Sequence, residues 1–142
     1  MSDYGYQHDY YTPDMIRCRG DLPANAIFVG GVNPQGRHGK GAALTMKEHF
    51  GAIYGQAEGL MGESYGVITK ELRSDHPPIT IRQVGEGIVR MLACATSLPH
   101  KTFYVTKLGT QLAYFSVKQI GDIFRFLMPL LPINVILPKE FT

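Results

Sequence analysis

The segment with the greatest potential for chemistry is the glycine-rich stretch GGVNPQGRHGKGAAL, which begins at Gly30. It follows a short apolar run and precedes a segment with helical character, so it is predicted to connect a strand to a helix. Glycines at such a position let backbone N–H groups approach a ligand, and the helix start offers unpaired N–H groups and a positive dipole end. The stretch therefore predicts an anion site that suits a phosphate or a pyrophosphate.

Polar residues within this loop suit the same kind of ligand. Asn33 lies just past the predicted strand end, where its amide can hydrogen-bond a sugar hydroxyl. Positive charge is supplied by Arg37, His38 and Lys40. A purely structural interpretation stays open beside this one, because glycines also serve tight turns and Asn-Pro often opens a loop. A lone histidine is likewise more often a surface or capping residue than a catalyst.

Two well-known phosphate motifs are absent from this loop. A P-loop requires G-x-x-x-x-G-K-[ST], but Pro34 stands at its first glycine and Gly41 replaces the Ser or Thr. Gly36, Gly39 and Gly41 have the spacing G-x-x-G-x-G, which is the reverse of the dinucleotide fingerprint G-x-G-x-x-G. The sequence thus argues against a Walker-type NTPase and against a plain Rossmann dehydrogenase.

The composition indicates one folded domain. The chain has 142 residues, of which 44% are hydrophobic and 18% are charged, as in globular rather than disordered proteins. Lys and Arg total 14 against 12 Asp and Glu, so the net charge gives little reason to expect nucleic acid as a partner. No apolar run is long enough to span a bilayer, and the N-terminus lacks a signal-peptide pattern. We therefore expect a cytoplasmic protein (in the host cytoplasm if it is viral) with no membrane partner.

The cysteines and histidines predict neither a disulfide nor a metal site. Cys18 lies near a predicted strand and Cys94 on the inner face of a predicted helix, so a disulfide between them is not expected. The five histidines are scattered along the chain, and no Cys/His cluster has the spacing of metal ligands. We expect no metal and no cofactor.

Hydrophobic periodicity predicts alternating strands and helices after a Tyr-rich, irregular lead-in over residues 1–25, which includes a short edge strand at 15–19. Strands are predicted at 26–29, 64–69, 102–108 and 134–137, helices at 41–50, between Thr80 and Pro99 and after Ser116, and a loop at 51–62. Thr80 with Gln83, and Ser116 with Gln119, have the spacing of a capping box. The order β–α–β–α–β–α–β over residues 26–142 favours an α/β domain with a mostly parallel sheet and helices on both faces.

Ligands of an open α/β sheet bind beyond the carboxyl ends of its strands, at the point where the strand order reverses. The segments predicted to lie there are 30–41, 69–71, 107–115 and the tail after residue 137. The glycine-rich loop belongs to the first of these segments, so the sheet and the loop point to the same place.

Several motifs, in order, resemble a family of small bacterial and phage proteins. Residues 27–70 contain GVN-x-x-G-R-H-G-x-G-A-A-L, FGAIYGQAEGL and GESYGVITK, and the corresponding family patterns are G-S-N-x-x-G-x-H-G-x-G-A-A, F-G-A-x-x-G-x-G-E-G-L and S-Y-A-x-P-T-K. Downstream, FYVTKLGTQLAYFS resembles the pattern F-x-V-T-x-I-G-C-G-x-A-G-Y, and NVILP resembles the family's end. This family is similar to macro domains, which are α/β/α modules that bind ADP-ribose.

The resemblance implies a three-layer α/β/α fold and a role for particular residues. Asn33 would contact the distal ribose, Gly39 and Gly41 would belong to the first phosphate loop, and Gly109 would begin the second. The chain departs from the pattern in that second loop, where Gln111 and Tyr114 replace glycines. Outside it, Val32 replaces Ser, Gly66 replaces Ala and Ile68 replaces Pro.

The resulting prediction is a module that binds ADP-ribose or a related nucleotide–sugar phosphate, or an ADP-ribosylated macromolecule. The predicted ligand-binding residues are Gly30, Gly31, Val32, Asn33, Gly36, Arg37, His38, Gly39, Lys40, Gly41, Thr106, Lys107, Gly109, Thr110 and Gln111. Hydrolysis of a bond at the distal ribose would use Asn33, His38 and Lys70, with His38 moving a proton. Lys70 and Lys107 would neutralise phosphate or attack an opened ribose, unless they are ordinary exposed lysines.

Two other functions stay open at this point. A non-catalytic protein that sequesters a nucleotide or reads ADP-ribosyl groups would tolerate the altered second loop. An interaction module that uses the Tyr-rich N-terminus to bind nucleic acid or protein is less well supported, because an alternating aromatic and basic pattern is missing.

Overall fold

The computed structural model describes residue 8 and residues 10–110 and 114–142. Its strands are β1 Ala26–Val32, β2 Gly59–Met61, β3 Ser64–Ile68, β4 Thr102–Val105 and β5 Val135–Ile136. Its helices are α1 Gly41–His49, α2 Ile81–Ser97 and α3 Val117–Leu127, with 3₁₀ turns at Arg19–Asp21, Met128–Leu130 and Lys139–Phe141. Within the described residues, no helix combines the length and the apolar character that crossing a membrane requires.

The five strands form one sheet in the order β2-β3-β1-β4-β5. β2 is antiparallel to β3, and the other neighbours are parallel. The chain passes from β1 to β3 on one side and then crosses to β4 on the other side, so the strand order reverses at β1. The carboxyl ends of β1, β3 and β4 therefore lie together at one edge.

Helices cover both faces of the sheet, as the sequence predicted. Phe28 of β1 packs with Met46 and Phe50 at α1 on one face. Ile27 and Val29 face the other side, in a larger cluster that also contains residues of α2 and α3. Because both faces are covered, β1 is buried along nearly its whole length. This explains why it is a continuous apolar run rather than an alternating one.

Both predicted capping boxes are confirmed. The Thr80 hydroxyl accepts a hydrogen bond from the Gln83 backbone N–H at 3.1 Å, and the Ser116 hydroxyl accepts one from the Gln119 N–H at 3.0 Å. Each glutamine side chain accepts a hydrogen bond in return from the N–H of its cap residue, at 2.8 Å in both boxes. These bonds satisfy N–H groups that a helix start would otherwise leave without partners.

Two local predictions were wrong. The predicted loop at 51–62 contains the short edge strand β2, whose three residues gave too weak a periodic signal to be recognised. The predicted edge strand at 15–19 is absent, and a 3₁₀ turn begins at Arg19 instead. The carboxylate of Asp21 accepts hydrogen bonds from the N–H groups of Arg17 and Cys18 at 2.7 and 3.3 Å, so these donors are satisfied locally rather than by a sheet.

Strands β1 and β4 end at residues other than those predicted. β1 extends three residues beyond its predicted end, because Gly30, Gly31 and Val32 pair in register with β3. β4 ends earlier than predicted, at Val105. There the N–H and the hydroxyl of Thr106 both donate to the carbonyl of Val29, at 3.0 and 2.8 Å, and the chain turns away from the sheet.

Replacing the cap residue should lower the stability of the protein at α2 but not at α1. The α2 cap residue Thr80 makes a side-chain cap bond, whereas the α1 cap residue Lys40 makes none. We expect Thr80→Ala to lower the free energy of unfolding by about 1 kcal/mol, because it removes a partner of a first-turn N–H. Lys40→Ala should leave it nearly unchanged. Urea denaturation followed by circular dichroism measures both, and equal losses in the two variants would contradict this account of the caps.

Candidate functional site

A cavity of about 780 Å³ opens at the edge where β1, β3 and β4 end. It is lined by residues 12–17, 28, 31–33, 37, 39–43, 45, 69, 70, 72, 106–109 and 138. The lining thus includes parts of all four segments that the sequence placed at the carboxyl ends of the strands. It also includes residues 12–17, which the sequence did not indicate.

Asn33 closes the first loop with its side chain. Its Nδ2 donates to the carbonyl of Arg37 at 2.7 Å, and its Oδ1 accepts from the Arg37 N–H at 3.0 Å. The structural interpretation of Asn33 as a turn residue is therefore correct as far as these bonds go. An amide has two N–H donors and two acceptor sites, so one of each remains for a ligand. Asn33 also lines the cavity, where that capacity can be used.

The outer side of the loop is tied to its neighbours. Gly36 has φ +67° and an added Cβ would lie 2.5 Å from the carbonyl carbon of Gly55, whose N–H donates to the Gly36 carbonyl at 2.8 Å. Gln35 donates to a carboxylate oxygen of Glu71 at 2.6 Å. The Arg73 guanidinium hydrogen-bonds this carboxylate and lowers the pKa of Glu71 to about 2, so it stays ionised at neutral pH. These contacts fix the outer side of the loop to the rest of the protein.

Helix α1 begins at the cavity without a side-chain cap. Lys40 is its cap residue, and Lys40, Gly41, Ala42 and Ala43 all line the cavity. Gly41 has φ +59°, a conformation that favours glycine. The first N–H groups of a helix have no intrahelical partner, and the dipole adds partial positive charge at this end. The helix start therefore offers the cavity hydrogen-bond donors suited to an anion.

Glycines form the floor of the cavity beside Thr69. A Cβ added to Gly31 would lie 2.7 Å from Oγ1 of Thr69 and 3.4 Å from the backbone N of Gly109. Gly109 has φ +78°. Side chains at the two glycine positions would displace Thr69 or strain the backbone. Glycine at both positions therefore leaves the main chain accessible to a ligand.

The charged side chains that line the cavity are mostly cationic. The cations are Arg17, Arg37, Lys40, Lys70 and Lys107, and the one lining acid within the described residues is Asp14. Lys107 forms an ion pair with Glu140 at 3.5 Å. The Lys70 ammonium lies 5.7 Å from the centre of the Tyr114 ring. An excess of positive charge at the mouth of a cleft raises the local concentration of anions.

His38 is not one of the residues that line the cavity. Its side chain is buried with 1% of its surface exposed, and neither ring nitrogen has a hydrogen-bond partner among the residues that the structure describes. The ring packs edge-on against Tyr54, with 6.4 Å between centroids, and His38 does not line the cavity. Burial, with a smaller effect of Lys47, lowers the pKa of His38. The imidazole is therefore enclosed in its neutral form.

The structure brings most of the predicted site residues to the cavity. Those that line it are Gly31, Val32, Asn33, Arg37, Gly39, Lys40, Gly41, Lys70, Thr106, Lys107 and Gly109. Gly30, Gly36, His38 and Thr110 do not line it, and Gln111 lies outside the described residues. A Cβ at Gly30 would meet Met46 Sδ at 2.6 Å, so this glycine serves helix–sheet packing. The hydroxyl of Thr110 donates to the carbonyl of Lys107 at 2.7 Å.

Sequence reasoning missed one wall of the cavity, formed by residues 12–17. Thr12 anchors this wall, since its N–H donates to the carbonyl of Leu137 at 2.9 Å and its hydroxyl to that of Ile136 at 3.2 Å. These partners are more than a hundred residues away in the sequence, and the segment has no periodicity. No local signal could have revealed the contact.

A solved structure described as a macrodomain protein from Streptomyces coelicolor is similar to this chain. The TM-score is 0.52 at 15% sequence identity, and the match covers 84% of this chain and 94% of that chain. The chain has a macrodomain-like fold. The predicted α/β/α fold is thereby confirmed. No protein-family model and no curated protein matches the sequence, so the resemblance to the bacterial and phage family stays a prediction.

The enclosed His38 predicts a loss of stability in acid for this macrodomain-like domain. A histidine has a pKa of about 6.5 when unfolded, and burial lowers the folded value, so the unfolded chain binds more protons as the pH falls below about 6.5. We expect wild type to lose stability from pH 7 to 5 more steeply than His38→Phe. Urea denaturation across this range measures the slopes, with His49→Phe at an exposed histidine as the control.

A His38→Phe slope that equals the slopes of wild type and His49→Phe would show that the His38 ring is accessible to protons in the folded state.

Proposed function

We propose that this protein binds ADP-ribose or a related nucleotide–sugar phosphate in the cavity beyond β1, β3 and β4. The observation that carries the proposal is the uncapped start of α1, which lines the same cavity as the five cationic side chains. Unpaired N–H groups at a helix start and nearby cations are the donors that a pyrophosphate requires. The macrodomain-like fold supports the proposal in general terms.

The rest of the cavity suits the other parts of such a ligand. Its volume falls within the range of about 300–1,000 Å³ that is usual for small-molecule sites. Met15, Ile16 and Leu72 contribute apolar surface, which suits a planar base. Asn33 retains a donor and an acceptor for a sugar hydroxyl, and the low floor at Gly31 and Gly109 allows close approach.

Binding without turnover is the form of this function that the geometry supports best. Of the three predicted catalytic residues, His38 is enclosed away from the cavity, and the amide of Asn33 cannot act as an acid or a base at neutral pH. Lys70 lines the cavity, so its amine is the group on which hydrolysis at an opened distal ribose would depend. We therefore treat hydrolysis of an ADP-ribosyl linkage through Lys70 as the second candidate.

Calorimetric titration with ADP-ribose, with AMP for comparison, tests binding, and a mass spectrum of mixtures with ADP-ribosyl esters, amides and phosphates tests turnover. We expect ADP-ribose to bind more tightly than AMP and no product to form. If product forms with wild type but not with Lys70→Ala, hydrolysis would be the function rather than binding without turnover. The absence of any heat with ADP-ribose would overturn the proposal.

Filling the open space at Gly39 should block the ligand without straining the fold. Gly39 lines the cavity, has no neighbouring heavy atom within 4 Å of an added Cβ, and lacks a positive φ. We expect Gly39→Trp to weaken ADP-ribose binding at least tenfold in the same titration. Gly20→Trp is the matched control, because Gly20 is also exposed and lies outside the cavity lining.

If Gly39→Trp binds as tightly as Gly20→Trp, the first loop does not contact the ligand.

Charge reversal should show whether the cations act on the ligand. Arg37 lines the cavity, whereas Arg82 is exposed on α2 outside it. We expect Arg37→Glu to weaken ADP-ribose binding about tenfold, or about 1.4 kcal/mol, with the loss shrinking at high salt because salt screens exposed charges. Arg82→Glu changes the net charge equally and should retain wild-type affinity. Equal losses in both variants would indicate a general charge effect rather than a site.

A further inference from the structure

Thr69 differs from the other threonines of the cavity. Those others, Thr12, Thr45 and Thr106, donate their hydroxyls to the carbonyls of Ile136, Gly41 and Val29 at 3.2, 3.5 and 2.8 Å. Thr69 also lines the cavity and is only 4% exposed, yet its hydroxyl makes no hydrogen bond within the described part of the chain. The protein thus leaves one hydroxyl on the cavity floor without a partner.

The strand register places Thr69 level with Asn33. The Thr69 N–H donates to the carbonyl of Val32 at 2.9 Å, which continues the parallel pairing of Val32 with Ile68. Asn33 and Thr69 are thus the next residues after two paired strand ends. The Thr69 side chain also lies over Gly31, since its Oγ1 would be 2.7 Å from an added Cβ there. Any larger residue at position 31 would cover the hydroxyl.

The Thr69 hydroxyl is open to the cavity, where solvent or a ligand can be its partner. Thr69 lines the cavity, and its Oγ1 is not one of the fully buried polar atoms that lack a hydrogen bond. A ligand that displaces solvent from the cavity floor must replace the hydrogen bond that solvent made, because an unpaired hydroxyl enclosed in the complex would be costly. The hydroxyl therefore indicates a polar contact with the bound ligand at this position.

The chemistry of the hydroxyl indicates which part of the ligand it contacts. A threonine hydroxyl both donates and accepts, as a sugar hydroxyl does, whereas phosphate oxygens mainly accept. Phosphate already has donors elsewhere, at the start of α1 and at Lys40 and Arg37. Thr69 instead lies level with Asn33 in the strand register, and the remaining amide capacity of Asn33 suits a sugar.

We propose that Thr69 is a specificity-determining residue whose hydroxyl binds a hydroxyl of the sugar attached beyond the pyrophosphate. This inference rests on the proposed function and deepens it. It makes Thr69 a group that distinguishes a nucleoside diphosphate carrying a sugar from the same diphosphate without one.

The test compares ADP-ribose with ADP, which lacks the distal sugar, in wild type, Thr69→Val and Thr69→Ser. We expect Thr69→Val to reduce the preference for ADP-ribose over ADP about tenfold, the usual effect of losing one well-placed hydrogen bond. Thr69→Ser keeps the hydroxyl and should retain the preference. Thr96→Val is the matched control, because Thr96 lies on α2 outside the cavity and donates its hydroxyl to the Leu92 carbonyl at 2.9 Å.

Unfolding of the ligand-free variants supplies a second readout. Thr69→Val should be about as stable as wild type, because the Thr69 hydroxyl makes no hydrogen bond to the described part of the chain, whereas Thr96→Val removes a hydroxyl that is already paired. An unchanged preference for ADP-ribose in Thr69→Val, or an equal loss for both ligands, would overturn the role of Thr69 while leaving the proposed function intact. Failure of wild type to bind ADP-ribose would overturn the proposed function and this inference with it.

Discussion

The parallel pairing of β1 with both of its neighbours is the constraint on which the rest of the structure depends. At the ends of these strands, the N–H of Thr69 and the N–H of Thr106 donate to carbonyls of β1, at Val32 and Val29. These two bonds bring the segments that follow β3 and β4 to the glycine-rich loop that follows β1. Without this register, the glycines and cations of the cavity would belong to separate loops.

The glycine-rich loop combines an exposed inner side with an outer side held by the protein. Asn33 closes its turn, Gly36 lies against the backbone of Gly55, and Gln35 contacts the ionised Glu71. Binding of the proposed ligand would then require little ordering of the loop, which would lower the entropic cost of association. His38 follows Arg37 in this loop, and its buried ring packs against Tyr54.

The helix starts in the described part of the chain differ in whether a side chain caps them. The caps of α2 and α3 are satisfied by their own side chains, Thr80 with Gln83 and Ser116 with Gln119. The start of α1 has no such side chain and lines the cavity. A helix end that is left without a cap costs stability unless water or a ligand supplies the missing partners. The absence of a cap at α1 is thus consistent with a place for an anion.

The sequence by itself determined the class of the fold and the position of the first loop. Its apolar runs, capping boxes and glycine spacing are local signals, and local hydrogen bonds and side-chain periodicity decide those features. Tertiary structure decided the rest. It added β2, placed residues 12–17 against the cavity through Thr12, enclosed His38 and left the hydroxyl of Thr69 without a hydrogen bond to the described part of the chain. Each of these depends on contacts between residues far apart in the chain, and no window of the sequence records such contacts.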